Sequence, residues 1–200
     1  MNPLTQALGP LLKEHQPDWL ALYRDIHAHP ELSMQETRTA GLVEQRLRAM
    51  GYEVTSGVGV TGVVGILRNG DGPTVMLRAD MDALPMAEDT GLPYASTATA
   101  RDADGNEVPV AHSCGHDLHV TWLIAAAQLL ATARDAWSGS VLVVFQPGEE
   151  TAQGARAMVD DWDARGLPHA DVVLGQHVMV GAAGSVSHRP GVILSAAYML

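Results

Sequence analysis

The run Val141-Leu142-Val143-Val144-Phe145 is apolar at every position and stops against Gln146-Pro147-Gly148. A stretch of this kind has no polar face to turn toward water, so it reads as a strand buried on both sides. Such a strand needs a sheet covered on both faces, and the rest of the chain must therefore supply helices as well as strands.

The flanking segments do so in alternation. From Asp18 to His27 the residues Trp19, Leu20, Leu22, Tyr23 and Ile26 recur at helical spacing, and Pro30 predicts an exit from helix near His29. Ser33 followed by Glu36 is a capping-box pattern ahead of a second helical stripe, Ala40, Leu42, Val43, Leu47 and Met50, which Gly51 can close in a left-handed cap. Tyr52 to Thr55, Thr61 to Leu67 and Thr74 to Arg78 then read as strands, with Asn69-Gly70-Asp71-Gly72 as a hairpin turn between the last two. Ala87 to Val110 lacks clear periodicity and reads as a long loop, of a kind that is often functional. A helix from about His116 to Arg134 precedes the buried strand, another from Gly154 to Trp162 follows it, and Val172 to Leu174 is a further strand running into Gly175-Gln176-His177. The expected fold is one α/β domain, a mixed β-sheet covered by helices on both faces, without internal repeat or linker.

Composition limits the partners. Two hundred residues at 46% hydrophobic content suit one substantial core, and a net charge of -11 with no Lys/Arg cluster disfavours nucleic acid and anionic membrane as partners. A sole cysteine cannot form an internal disulfide, and Met1 to Pro10 lacks the pattern of a signal peptide, so a cytoplasmic location is expected. No apolar run reaches the roughly 18 residues of a membrane span.

Ligand-type side chains fall where strands end. The segment His112-Ser113-Cys114-Gly115-His116-Asp117-Leu118-His119 holds three of the nine histidines and the only cysteine. A thiol and an imidazole two residues apart at a strand-to-helix junction can point at one spot, which is what a metal site needs. Asp80 and Asp82 follow one strand, Glu149 and Glu150 another, and His177 a third, and ligands of open α/β sheets bind beyond the carboxyl ends of the strands. Each feature alone has a plainer reading: Cys114 as a small buried hydrophobe, the acidic pairs as solvated surface, His177 as a core-edge histidine. Their joint position favours a metal site. His119, one helical turn beyond His116, is expected to support or pack rather than ligate. His112 is given no duty, His27 and His29 a structural role at the helix end, and Asp117 a contact with the helix dipole.

Five motifs, in order, carry a resemblance: Arg24-Asp25-Ile26-His27-Ala28-His29-Pro30-Glu31-Leu32-Ser33, Arg78-Ala79-Asp80-Met81-Asp82-Ala83-Leu84-Pro85, Ser113-Cys114-Gly115-His116-Asp117, Gln146-Pro147-Gly148-Glu149-Glu150 and Gly175-Gln176-His177-Val178. Together they resemble the M20 metallopeptidase family, and within it the amidohydrolase branch of hippurate hydrolases, N-acyl-amino-acid hydrolases and plant auxin-conjugate hydrolases. The resemblance implies a zinc-exopeptidase-like catalytic domain with two divalent metal ions, zinc or manganese, held by Cys114, His116, Glu150 and His177. It further implies Glu149 as general base and Asp82 as the acid that orients the ligands. Where the wider family has His-x-Asp, this chain has Asp80-Met81-Asp82, and His116 takes over that ligand's duty in the amidohydrolase branch. The implied reaction is cleavage of the amide bond of N-acyl amino acids, a C–N bond other than a peptide bond, to a carboxylic acid and an amino acid. Alternatives are a dipeptidase or aminopeptidase of the same family, or a non-catalytic metal-binding fragment; redox chemistry at Cys114 lacks a resolving cysteine.

Members of that family are about twice as long. The resemblance divides this chain into the N-terminal part of a catalytic domain over 1–187 and a junction over 188–200 toward a lid and dimerisation domain that the chain lacks, through which a homodimer would form. A further histidine ligand lies beyond Leu200 on this reading, so 200 residues alone are expected to bind metal weakly and turn over little.

Overall fold

The computed structural model describes residues 3–188 and 190, so most of the junction expected over 188–200 lies outside the described residues. Its centre is a sheet ordered β1-β2-β6-β3-β7. The strands are β1 (Glu53–Val58), β2 (Gly62–Asn69), β3 (Thr74–Asp80), β6 (Gly139–Gln146) and β7 (Val172–Gly175). Strands β1, β2 and β6 pair antiparallel in succession, whereas β3 lies parallel to both β6 and β7. The sheet is mixed, and it is covered on both faces.

Its layers follow from alternation along the strands. In β6, Val141, Val143 and Phe145 face a core with Leu22 and Ile26 of α1 (Pro3–Ala28), Val43 and Leu47 of α2 (Thr37–Ala49), and Val120, Leu123, Ile124 and Ala127 of α3 (His116–Thr132). Leu142 and Val144 point the other way, onto Met158 and Trp162 of α4 (Gly154–Trp162) and onto Leu167. A period of two thus puts one strand into two cores, as an unbroken apolar run allows. Phe145 is wholly buried, a contribution of about 1.5–3 kcal/mol from its side chain.

Several local expectations give way to tertiary ones. Helix α1 begins at Pro3 rather than Asp18 and runs through Pro10 and Pro17. Both prolines and the residues four before them, Gln6 and Lys13, are exposed, so the carbonyls deprived of a helical bond can be hydrated. Asn69 to Gly72 does not join neighbouring strands: β6 lies between β2 and β3, and the hairpin is β1–β2 instead. The Asn69 side chain donates to the carbonyls of Arg134 (2.8 Å) and Trp137 (2.6 Å), which ties that turn to the connection between α3 and β6. The more apolar β6 takes the central place, and the turn chemistry yields to it.

The Ser33–Glu36 capping box does not form either. Helix α2 starts at Thr37 with no cap bond from Glu36; the Glu31 carboxylate accepts instead from Arg38 N and Thr39 N, both at 2.8 Å, and the Ser33 and Glu36 side chains bond to Asp82 and Thr61. Its other end is as expected, with Tyr52 N–H on the Leu47 carbonyl and Gly51 N–H on that of Arg48, a Schellman closure. The long loop after Ala87 carries a small ribbon, β4 (Thr99–Arg101) against β5 (Glu107–Pro109). Among the described residues no helix is long and apolar enough to cross a membrane.

Candidate metal centre

Because β3, β6 and β7 run parallel, their carboxyl ends lie along one edge, with Asp80 beside Gln146 and Arg78 beside Gly175 in register. That edge receives Asp80 and Asp82, Glu149 and Glu150, and His177, while α3 begins there with His116. Gly115 makes the approach possible. Its φ is +84°, and a Cβ on it would stand 2.3 Å from Val178 Cγ1, so only glycine lets the Cys114–His116 segment lie against the strand-end loop of His177.

His116 is the hub. It is fully buried, with Nδ1 2.9 Å from the Asp82 carbonyl oxygen and 3.3 Å from Asp82 Oδ1. Both neighbours only accept hydrogen bonds, so Nδ1 carries a proton and, in the neutral ring, Nε2 carries the lone pair. That lone pair faces Asp80 Oδ1 at 3.7 Å, Glu149 Oε2 at 3.8 Å and Glu150 Oε1 at 3.8 Å. Neither His116 Nε2 nor Glu150 Oε1 has a hydrogen-bond partner among the described residues, although both atoms are buried. A buried imidazole nitrogen grouped with carboxylate oxygens is a donor set suited to a cation, and an imidazole pinned through its other nitrogen is how proteins present a metal ligand.

The second part of the edge is more open. Cys114 Sγ is 3.4 Å from Nε2 of the exposed His177, whose Nδ1 donates to the Val178 carbonyl at 2.7 Å. His177 therefore also presents Nε2. Burial, then the charges of Glu150, Glu149 and Asp80, push the Cys114 thiol up to about 12. The site thus disfavours a thiolate until a cation enters, and a coordinating cation reverses that balance. Three groups bring ligand atoms within 4.8 Å of one another, Cys114–His116–His177, Asp80–His116–His119 and His116–Glu149–Glu150, and all of them share His116.

The charges around the hub sort the acids. Burial and the Asp80 charge raise the Glu149 carboxyl above its ordinary value. Burial pushes Asp80 the same way, yet the hydrogen bond from His119 and the Arg78 guanidinium 2.7 Å away hold it well below the carboxylate range. Asp82 is likewise lowered against its burial, by His116, Ser33 and the Glu150 amide.

Sequence reading brought Asp80, Asp82, Cys114, His116, Glu149, Glu150 and His177 to one sheet edge, and the structure puts them there. It did not anticipate the connection behind them. His119 Nδ1 lies 2.6 Å from Asp80 Oδ1, and its Nε2 accepts from the Val178 amide at 2.9 Å, so His119 joins the acid of β3 to the loop of His177. The one available signal was its spacing from His116, whose ring stacks on it at 5.4 Å. Asp117 does more than meet the helix dipole: it accepts from its own helix at Leu118 N and contacts His27 Nδ1 at 2.6 Å, while His27 Nε2 meets Glu88. His112 is buried and stands outside all three ligand groups.

A mixed sheet whose parallel strands deliver acids and imidazoles to a single edge defines an α/β domain built around a candidate metal centre. The chain belongs to peptidase family M20/M25/M40, whose family model matches residues 76–191. It is 41% identical over 173 residues to the hippurate hydrolase of Campylobacter jejuni, covering 86% of this chain and 42% of that one. It is 38% identical to IAA-amino acid hydrolase ILR1-like 5 of Arabidopsis thaliana, covering 89% of this chain and 39% of the relative. Among solved structures it resembles the Bacillus subtilis YXEP protein, a dinuclear metal-binding peptidase of the M20 family, with a TM-score of 0.70, 35% identity, and coverage of 82% and 43%. The chain spans less than half the length of the curated relatives it matches.

Proposed function

We propose that this chain is the ligand-bearing N-terminal part, over 1–187, of a metal-dependent amidohydrolase that cleaves N-acyl amino acids to a carboxylic acid and an amino acid. The observation that carries the reading is the buried His116 Nε2, without a hydrogen-bond partner among the described residues and flanked by the carboxylates of Glu149 and Glu150. Relatives named hippurate hydrolase and IAA-amino acid hydrolase support the substrate class.

His116, Glu150, Cys114 and His177 would hold two divalent ions, zinc or manganese by the softness of a thiolate and imidazoles and the hardness of carboxylates. Bound there, the ions supply Lewis acidity toward water and toward the scissile carbonyl. The protein's own part is proton transfer and orientation. Glu149, with a raised pKa, is suited to take a proton from water and return it to the leaving nitrogen, because a base works best when its pKa approaches the working pH. Asp82 holds Nδ1 of His116 through its backbone carbonyl and carboxylate, which keeps Nε2 directed at the site.

Glu149→Gln tests the reading. It should lower turnover of a panel of N-acyl amino acids by about 10²–10⁴-fold, with metal content by elemental analysis unchanged; retained turnover sinks the base assignment. Chelation should abolish activity in the parent protein and readdition of metal restore it. A requirement for a free amino terminus on the substrate would move the reaction to the dipeptidase alternative.

A further inference from the structure

Between Gln146 and α4 the chain leaves the sheet and has to hold two neighbouring glutamates in different directions. Pro147 has no amide hydrogen, so Gly148 N–H is the first donor beyond the strand, and it points at Glu36. The Glu36 carboxylate is fully buried; Oε1 accepts from Gly148 N at 2.8 Å and Met34 N at 2.9 Å, and Oε2 accepts from the Thr61 hydroxyl at 2.5 Å. On the far side of the glutamates, Glu150 N donates to Asp82 Oδ2 at 3.0 Å, and Ser33 Oγ donates to the same oxygen at 2.5 Å. One short segment, Ser33 to Glu36, therefore reaches both ends of the turn. Packing repeats the connection: Gly148 has φ of +52°, and a Cβ on it would lie 2.5 Å from Met34 Sδ. Met34 is itself in the left-handed region at φ 64°.

We propose that Glu36 is a positioning residue for the reaction: by holding Gly148, opposite the hold of Asp82 on Glu150, it sets the direction of the Glu149 side chain toward His116 Nε2. This rests on Glu149 being the base. Among the described residues the Glu149 carboxylate accepts no hydrogen bond, and its backbone is held through both neighbours, Gly148 and Glu150. A positional error of about 1 Å in a reacting group can cost about 10²-fold in rate, so the placement of one buried carboxylate matters to turnover without touching substrate or ligand.

The experiment compares Glu36→Ala, Glu36→Asp and Glu36→Gln in the metal-loaded protein by kcat, KM, metal content and hydrogen exchange at the Gly148 amide. Loss or shortening of the side chain should lower kcat by about 10²-fold, leave KM and metal content near those of the parent, and speed exchange at Gly148. Gln keeps one oxygen for the two amides and can donate to Thr61, so it should restore most of kcat and the protection. Parental kcat with parental protection in Glu36→Asp overturns the proposal. So does rapid exchange at Gly148 in the unsubstituted protein, a measurement that needs no variant to fold. Exchange does not depend on turnover, and failure of the base assignment shows separately, as full activity in Glu149→Gln.

Discussion

The two parts of the candidate metal centre are built differently. Around His116 the partners that hold the ring are interior: Asp80 and Asp82 are each 1% exposed, and they sit on or just beyond β3, which pairs on both sides. His177 instead lies two residues beyond β7, a strand exposed along its whole length at the sheet's edge, and it meets the interior through the Val178 amide on His119, its ring against that of His119 at 4.6 Å, and Cys114 Sγ at 3.4 Å. The interior part has its geometry before any ion arrives. The edge part depends on one histidine-to-amide bond and on Gly115 to keep Cys114 and His177 together.

Substitution at the two hubs should expose this difference most strongly. In the metal-free chain His116→Ala removes the partner of buried acids and is expected to cost about 3–5 kcal/mol in urea unfolding. His177→Ala should change stability by less than about 0.5 kcal/mol, although both variants lose metal. Equal destabilisation by the two would erase the distinction. Next in size, Asp80→Asn removes the charge that pairs with Arg78 and fixes the His119 tautomer, so Nε2 no longer reliably accepts from Val178. Metal affinity by chelator competition should fall about 10–100-fold, with the unfolding midpoint lowered less than in His116→Ala; unchanged affinity would mean the edge loop holds itself.

The smallest effect concerns the support behind the interior part. His27, between Asp117 and Glu88, would be lowered by burial, but its hydrogen bonds to these two acids raise it above its ordinary value of 6.5. A raised histidine stabilises the fold in full below its unfolded pKa and loses that contribution as pH rises through the folded value. Thermal stability should therefore slope downward from pH 6.5 upward, and His27→Gln should flatten the slope. A slope that persists in the variant would assign it to another group.

Much of the frame was legible because it depends on composition along short runs. Val141 to Phe145 could only be a doubly covered strand, and helix Gly154–Trp162 has the bounds that its pattern predicts. The strand-end residues of the site were legible for a related reason: a parallel strand's carboxyl end is a place that can be read from order alone. What local reading missed was decided by distant partners. Ser33 and Glu36 make a good cap in isolation, yet Glu36 is claimed by Thr61 and by Gly148, 112 positions along the chain. Asn69 to Gly72 is a good hairpin turn, but β6, far downstream, displaces β3 from β2. His119 could be placed on the face of His116, while its bond to Val178 required knowing that β7 lies beside β3.

The insertion of β6 between β2 and β3 also bears on how the chain can be made. During synthesis the β1–β2 hairpin is complete early, but β2 has no inner neighbour and β3 has none at all until Gly139–Gln146 has emerged. The pairings that close the sheet span long loops, which makes them slow, and the apolar faces of β2 and β3 stay open while they wait. An emerging polypeptide halted after α3 would hold most of the helices and none of the strand that organises them, so the interval before β6 appears is when this fold most needs protection from self-association.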